Sequence, residues 1–286
     1  MPTTRNEHIK TAKMKILILL SGGIDSTTLL YKYRKGAFVE AVTFDYGQTH
    51  RKEIEVAKNI CANFPRRPVK HHICQLPQIF TCPLTGSVKP IPSGDSVDNI
   101  IPNRNGVMLM TATALAIEWG FDAVAYGSNE DDAINFPDCS HLFIQAMRDV
   151  MRFCHTRPIE LLTPFITDHM TKKDVVALAD TLSVPISETW SCYKGQSKPC
   201  GECAACQLRN AAIEAHSIMS QQPNISCSCC GQEFGPGDRG FSHCESHAEL
   251  VPDTVLEDIT TAVIATETKS GGESSENKHA CNPYGI

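Results

Sequence analysis

One short stretch near the start of the chain constrains the fold more than any other. Residues 21–27 read Ser-Gly-Gly-Ile-Asp-Ser-Thr and directly follow the apolar run 16–20. A buried strand that enters a helix through a glycine turn points backbone N–H groups and a helix N-terminus at one spot, which favours an anion such as a phosphate. Gly22 and Gly23 permit the turn and close approach of a ligand. The stretch predicts a phosphate-binding loop, with an ordinary strand-to-helix turn as the alternative.

The side chains of this loop suit phosphate and metal binding. Hydroxyl groups add hydrogen-bond donors, and the carboxylate of Asp25 could hold a metal ion beside the phosphates. The lysine that ends a Walker A loop is missing, and the string instead resembles the PP-loop of ATP pyrophosphatases, which cleave ATP between its α and β phosphates. The resemblance implies ATP contacts from Leu20, Ser21, Gly22, Gly23, Asp25, Ser26 and Thr27, of which Ser21, Asp25 and Ser26 are the catalytic candidates.

Length and composition restrict the class of protein. The chain has 286 residues, a formal net charge of −6 and a pI of about 6.0, so nothing indicates a general nucleic-acid or anionic-membrane binder. The apolar run 16–20 is too short for a signal-peptide core, and no segment approaches the length of a membrane span. Fourteen cysteines without a secretion signal indicate metal binding rather than disulfides, and we predict a cytoplasmic protein.

Strand-like and helix-like segments alternate through most of the chain. The strand-like runs are 16–20, 38–44, 68–74, 121–126 and 159–162. The helix-like stretches between them are 27–35, 50–64, 105–119, 141–154 and 171–182, and the last begins with a capping box of Thr171 and Asp174. This alternation predicts an α/β fold with a doubly wound parallel sheet.

The pattern also divides the chain into parts. Residues 1–13 are a polar lead-in, residues 14–216 form the main domain, residues 217–250 suggest a small zinc-binding module, and residues 251–286 have the composition of a disordered tail. Within the main domain, the connection 77–102 contains proline, glycine and serine. A connection of this length predicts an active-site lid or binding loop.

Polar residues follow the second predicted strand. Ligands of open α/β sheets bind beyond the carboxyl ends of the strands, so Asp45 and Gln48 are predicted to contact the nucleoside of the bound nucleotide. Asp45 as a turn former is the alternative. Arg51 and Lys52 begin the next helix, where they could contact phosphate or belong to a solvated face.

Two further polar clusters are candidates for substrate binding. Arg104 offers a planar fork for a carboxylate or phosphate, and a second, acidic cluster follows the fourth predicted strand. The thiol of Cys139 is a candidate nucleophile, with a buried, inert thiol as the alternative. The predicted substrate-binding residues are Asn103, Arg104, Asn105, Tyr126, Gly127, Asn129, Asp132, Phe136, Pro137 and Asp138.

Four cysteines near the end of the main domain have metal-ligand spacing. Cys192, Cys200, Cys203 and Cys206 form the pattern C-x7-C-x2-C-x2-C, and Gly201 permits a tight knuckle between them. Four thiolates close a tetrahedral zinc site and leave no position for a reactive water, so the predicted role is structural. An iron–sulfur cluster is the alternative.

A second metal site is predicted beyond residue 216. The two cysteines of a C-x2-C pair are followed by a second pair of ligands, a spacing typical of a zinc ribbon or knuckle. The predicted ligands are Cys227, Cys230, Cys244 and His247, with Cys229 and His243 as competing ligands.

The motifs resemble one known family when they are taken in order. The strings SGGIDSTT, FDYGQTHRKE, IPNRN, AYGSNEDD, FPDC and TWSCYKG with CGECAAC lie between residues 14 and 216 and resemble the QueC family, the 7-cyano-7-deazaguanine synthases. The resemblance implies a PP-loop domain of the adenine nucleotide alpha hydrolase-like class, a structural Zn2+ and often a homodimer. It also implies ATP- and Mg2+-dependent adenylation of 7-carboxy-7-deazaguanine, amidation with ammonia, and dehydration to the nitrile.

This chain departs from the family in two respects. Family members often read Tyr-Pro-Asp-Cys-Arg where this chain has Phe136 and Ser140 at the ends of the string, and residues 217–286 exceed the usual family length. Some QueC-like proteins of bacterial antiviral systems attach an activated deazaguanine to a protein amine, and residues 217–286 could dock such a partner. Conjugation is therefore the alternative function. Relatives that thiolate transfer RNA are disfavoured by the net acidic charge.

Overall fold

The computed structural model describes residues 13–77, 80, 82–86, 100–221, 225–226 and 233–234. The chain forms two compact units, Met1–Gln221 and Gln222–Ile286. The first unit contains the sheet and helices that are predicted from the sequence.

A five-stranded parallel sheet forms the centre of the first unit. Its strands are β1 (Lys15–Leu19), β2 (Phe38–Asp45), β3 (His71–Gln75), β4 (Ala123–Ala125) and β5 (Glu160–Leu162), in the order β3-β2-β1-β4-β5. β1 lies in the middle, with Ile18 opposite Ala41 of β2 on one side and Ala125 of β4 on the other. The strand order therefore reverses between β1 and β4, where open α/β sheets bind their ligands.

Helices cover both faces of the sheet. They are α1 (Ile24–Arg34), α2 (Lys52–Ala62), α3 (Arg104–Trp119), α4 (Glu130–Asn135), α5 (His141–Phe153), α6 (Pro164–Thr167), α7 (Lys172–Thr181) and α8 (Ala204–Ser220). Ile16 and Ile18 of β1 pack into a core with α1, α2 and α7, whereas Leu17 and Leu19 pack into a second core with α3 and α5. Side chains of a strand alternate between faces, so the sheet is buried on both sides. The predicted doubly wound α/β fold is confirmed.

The predicted elements and the structure differ in three places. α8 was not predicted, and it runs through the predicted domain boundary at residue 216. The short helices α4 and α6 were also not predicted. In the described part of the connection 77–102, Pro83–Thr85 form a 3-10 turn in which Leu84 is buried in the core and its carbonyl accepts the N–H of Thr49 at 2.9 Å.

The second unit is described only at a short strand pair. β6 (Ile225–Ser226) pairs antiparallel with β7 (Glu233–Phe234). The predicted ligands Cys227, Cys230, Cys244 and His247 lie outside the described residues, so the second metal site remains a prediction. Among the helices that the structure describes, none combines the length and apolar character that crossing a membrane requires.

Candidate active site

A cavity of about 560 Å³ opens at the carboxyl ends of β1, β2 and β4. The predicted loop contributes Ser21, Asp25 and Ser26 to one side, and the start of α3 contributes Arg104 and Asn105 to another. The sheet order explains this meeting, because segments far apart in sequence follow adjacent strands and converge at the same edge. The cavity is therefore the place where the phosphate loop and the predicted substrate residues come together.

The loop is held by a compact set of hydrogen bonds. The hydroxyls of Ser21 and Ser26 lie 3.1 Å apart, and Ser26 Oγ accepts the N–H of Ser21 at 3.2 Å. Gly22 has φ of +83°, and a Cβ atom there would lie 2.8 Å from the carbonyl oxygen of Glu53 in α2. Only glycine adopts this conformation and also fits this contact without displacing α2. Thr27, a predicted ATP contact, is instead fully buried beneath the loop and does not line the cavity.

Asp25 belongs to a buried charged centre. Lys172, the first residue of α7, forms an ion pair with Asp25, and Asn129 Nδ2 donates to Asp25 Oδ1 at 3.2 Å and to Asp132 Oδ2 at 2.9 Å. Burial, and next the negative charge of Asp25, raises the pKa of Asp132 to about 6. Two carboxylates with this spacing to one amide favour a cation between or beside them.

Lys172 is a site residue that the sequence analysis missed. Burial alone lowers its pKa, but Asp25 and Asp132 outweigh this effect and raise it, so the side chain stays protonated. A lysine in the first turn of a helix is disfavoured by the helix dipole. A lysine directly after the predicted Thr171 cap is therefore the feature of the sequence that could have indicated a specific role for Lys172.

Arg104 lies opposite the loop. Its guanidinium carbon lies 6.0 Å from the centre of the Tyr46 ring, and Asn105 accepts from its Nε at 3.4 Å. The backbone N–H of Asn105 donates to Asp138 Oδ2 at 3.0 Å, which holds the 3-10 turn Pro137–Cys139 against the start of α3. Arg104 and Lys172 are the Lys and Arg side chains that line this cavity in the described part of the chain.

His50 and Glu53 line the same cavity and were also missed. Glu53 Oε1 accepts from Gln48 Nε2 at 2.8 Å, and its Oε2 lies 3.4 Å from His50 Nε2. Burial raises the pKa of Glu53 to about 7, and burial with the Arg104 charge lowers the pKa of His50 to about 4. His50 precedes α2 and Glu53 lies in its first turn, and both side chains are turned toward the cavity, whereas the sequence-based prediction for this segment concerned Arg51 and Lys52.

Several predicted contact residues do not line the cavity. The side-chain amide of Gln48 hydrogen-bonds within the turn after β2, where it donates to the Phe44 carbonyl at 3.0 Å and accepts the Tyr46 N–H at 2.9 Å. Asp45 forms an ion pair with the exposed Arg51 and accepts the Gly47 N–H at 3.3 Å. The geometry therefore favours the turn-forming alternative for Asp45, and it places the Gln48 side chain in the same turn. The other predicted residues outside the lining are Gly22, Gly23, Thr27, Asn103, Asn129 and Pro137.

Cys139 lines the cavity as a buried thiol. Its sulfur lies 3.3 Å from Tyr126 Oη and 3.4 Å from Asn105 Nδ2. Burial, and next the charge of Asp132, raises the pKa of Cys139 to about 12. A thiol with this pKa is not a thiolate nucleophile at neutral pH, so the inert alternative is favoured.

The four cysteines of the predicted zinc site converge. The sulfurs of Cys192, Cys200, Cys203 and Cys206 all lie within 4.8 Å of one another and are not bridged. A tetrahedral zinc site with Zn–S of about 2.3 Å separates its sulfurs by about 3.8 Å, so the arrangement fits zinc with a small contraction. Gly201 has φ of +78°, as the knuckle requires, and the Cys203 N–H points at the Cys200 sulfur at 3.4 Å.

The cysteine segment is attached to the phosphate loop. The N–H of Trp190 donates to the carbonyl of Gly22 at 2.9 Å, and the indole N–H of Trp190 donates to the Cys192 carbonyl at 2.9 Å. α8 begins directly after Cys203, contains Cys206, and contributes Ala204, Leu208 and Ala211 to the cavity wall. A metal at this cluster would therefore hold both the loop and one wall of the cavity in place.

Comparisons with known proteins agree with the motifs. The family model described as Queuosine biosynthesis protein QueC matches residues 15–217. The 7-cyano-7-deazaguanine synthase of Pseudoalteromonas translucida is 36% identical over 213 residues, which cover 71% of this chain and 95% of the relative. The enzymes of the same name from Methanoregula boonei and Archaeoglobus fulgidus are each 36% identical, over 70% and 72% of this chain and 94% and 88% of the relatives.

Proposed function

Because the chain belongs to the QueC family, we propose that it is an ATP-dependent synthase that converts 7-carboxy-7-deazaguanine and ammonia to 7-cyano-7-deazaguanine. One observation carries the proposal to the residues of this chain: a single cavity joins the PP-loop at Ser21–Ser26 to the cationic, aromatic pocket around Arg104. The reaction needs ATP and a carboxylate side by side, and this cavity supplies a place for each.

The chemistry requires two activations. A carboxylate oxygen of the substrate attacks the α-phosphorus of ATP, pyrophosphate leaves, and an acyl adenylate forms. Ammonia attacks the acyl carbon, AMP leaves with the former carboxylate oxygen, and loss of a proton gives the amide. The amide oxygen then attacks a second ATP, and departure of AMP with loss of both N–H protons gives the nitrile. Each turnover therefore releases two AMP and two pyrophosphate.

The loop residues act on the phosphates. Ser21 and Ser26 offer hydroxyls, and the N-terminus of α1 offers backbone N–H groups, to the negative charge that moves onto pyrophosphate. The ammonium of Lys172 adds a fixed positive charge on the same side of the cavity. Asp25 and Asp132 have the carboxylate oxygens that Mg2+ prefers, and the ion would neutralise phosphate charge there.

The opposite side of the cavity suits the deazaguanine. Arg104 offers a guanidinium to the substrate carboxylate, and Tyr46, Phe136 and Tyr193 offer aromatic surface to the ring. The carboxylates of Glu53 and Asp138 can accept the ring N–H and amino groups, which are donors. No side-chain nucleophile is needed, which agrees with the protonated state of Cys139.

Mass spectrometry tests this function directly. The full chain is incubated with ATP, Mg2+, 7-carboxy-7-deazaguanine and ammonia, and AMP, amide and nitrile are quantified. We expect the nitrile, with two AMP per molecule. Product that stops at the amide contradicts the second activation, and mass gained by an added partner protein would establish the conjugating alternative. Absence of AMP overturns the proposal.

We also propose that the protein is a homodimer and that α5 contributes the interface. Leu142, Val150 and Phe153 recur on one face of α5, and Leu142 and Phe153 are 85% and 88% exposed. A second copy would remove this apolar surface from water. Light scattering should give twice the chain mass, and Leu142→Glu with Phe153→Glu should give the monomer. Ile218→Glu, at an exposed apolar residue of α8, is the control; a monomeric wild type would contradict the proposal.

A further inference from the structure

Glu130, His141 and His169 form a compact cluster outside the cavity. Glu130 Oε1 lies 2.8 Å from His141 Nε2 and 2.8 Å from His169 Nδ1. The two imidazole rings are nearly parallel, with centres 5.2 Å apart. One ligand atom from each of the three residues therefore lies within 4.8 Å of the other two.

Three separate segments build this cluster. Glu130 is the first residue of α4, His141 is the first residue of α5, and His169 lies between α6 and α7. The Glu130 N–H donates to the Met170 carbonyl at 3.0 Å, which joins the first and third segments through the backbone as well. The side chains keep partial exposure, from 25% for Glu130 to 75% for His169, so an ion from solvent can reach them.

The geometry points to a second metal site: we propose that Glu130, His141 and His169 bind one divalent transition metal of the zinc class. Two imidazole nitrogens and one carboxylate oxygen form a common protein ligand set for Zn2+ that leaves a position for water. Imidazole nitrogen selects such metals over Mg2+, which prefers oxygen ligands. Ligand atoms around a tetrahedral zinc with bonds of about 2.0–2.1 Å are about 3.3 Å apart, so the two distances from Glu130 Oε1 to the imidazole nitrogens need to lengthen by about 0.5 Å.

A metal bound at this site would connect two segments that also carry residues of the cavity. The start of α4 carries Asn129 and Asp132, which contact or face Asp25, and the segment of His169 leads directly into Lys172. A metal held by Glu130, His141 and His169 would fasten the two segments that carry these groups. The proposal does not depend on the identity of the substrate.

Metal titration of the full chain tests the site. Protein whose cysteine sites are already loaded with zinc is titrated with Zn2+ and, separately, with Co2+ by isothermal calorimetry. Wild type should bind one further ion per chain, and the excess metal should raise the melting temperature, because a ligand that binds only the folded state stabilises it. His169→Ala and His141→Ala should each abolish the additional binding and the rise.

A matched histidine controls for non-specific effects. His216 lies 3.4 Å from Asp180 on another surface, in a pair without a third ligand atom among the described residues, so His216→Ala should leave the titration unchanged. Cobalt distinguishes the sites independently, because a nitrogen and oxygen site lacks the thiolate charge-transfer absorption of a cysteine site. Wild type that binds no further ion, or His169→Ala that binds as tightly as wild type, would overturn the proposal.

Discussion

The charge on Lys172 is specified by its neighbours. The side chain is buried at the N-terminus of α7, where the helix dipole opposes it, and the negative charges of Asp25 and Asp132 compensate. A buried cation in this position that also lines the cavity is well placed for phosphate oxygens once ATP binds. The residue is thus held by the same carboxylates that would hold the metal ion.

Lys172→Met should therefore remove catalysis. Loss of one charge-stabilising group of this kind costs about 10²–10³ in rate, and we expect that decrease in the rate of AMP release. Lys173→Met, at the exposed neighbouring lysine, should change the rate little. Circular dichroism checks that both variants are folded. Equal rates of AMP release for the two variants would show that Lys172 has no part in catalysis.

Asp25→Asn should abolish the release of AMP from ATP while leaving the fold intact. The amide keeps the shape of Asp25 but removes the charge that pairs with Lys172 and that would hold a cation. Chromatographic separation of AMP and ATP measures the turnover. Turnover that persists at the wild-type rate would show that the loop carboxylate has no catalytic part.

The raised pKa of Glu53 predicts how the stability of the protein depends on pH. Its pKa is raised by burial from 4.5 to about 7, so the folded protein retains a proton that the unfolded chain loses, and this contribution to stability falls as pH rises through that window. His50, whose pKa falls from 6.5 to about 4, contributes in the opposite direction, because the unfolded chain takes up its proton first as pH falls. In the wild type, the opposite effects of Glu53 and His50 on the pH dependence of the free energy of unfolding partly cancel.

Glu53→Gln isolates the carboxylate. The free energy of unfolding of the variant minus that of the wild type should increase between pH 4.5 and 8, by about 3 kcal/mol, because only the wild type loses the contribution of a carboxyl whose pKa is raised from 4.5 to about 7. Urea unfolding across this range measures the difference. Glu55→Gln, at an exposed residue of α2, should show no such trend. A pH-independent difference for Glu53→Gln would contradict the raised pKa.

At the scale of the element, the sequence predicts those strands, helices and caps that are determined by neighbouring residues. All five strands and the capping box at Thr171 were predicted, because apolar runs and caps follow from neighbouring residues. α8 was missed, because its start is organised by Cys203, whose carbonyl accepts the N–H of Cys206 and of Gln207, and the metal pattern masked the helical one. Lys172 and Glu53 were missed for a related reason: their roles arise from partners on other elements.

The cysteine segment makes a prediction at this scale. Cys203→Ser should release about one zinc per chain and lower the stability of the main unit by several kcal/mol, since structural zinc contributes of order 10 kcal/mol in small domains. ATP binding should weaken too, because Trp190 connects the segment to Gly22 of the loop. Cys154→Ser, at the exposed cysteine that follows the last residue of α5, is the matched control for metal content. Unchanged zinc in Cys203→Ser would rule out this cluster.

At the scale of the whole molecule, the division of the chain decides what the second unit can do. The first unit ends at Gln221, and every residue that lines the described cavity precedes it. Residues 222–286 form the second unit and remain a candidate for binding a protein partner. The boundary predicted from the sequence is residue 216, which lies within α8. The sequence shows where the alternation of strand-like and helix-like segments stops, and it does not show where the last helix of the unit ends.

Truncation after Gln221 should accordingly leave the synthase reaction close to wild type, within roughly twofold, because a unit with its own core folds independently. Truncation after Asn210 should inactivate the enzyme, since it removes Ala211 from the cavity wall and Ala212 from the core. Nitrile formation and melting temperature measured on both variants separate an effect on chemistry from one on folding. If the longer variant keeps its melting temperature and loses nitrile formation, residues 222–286 take part in catalysis, and their proposed role as a partner-binding unit is wrong.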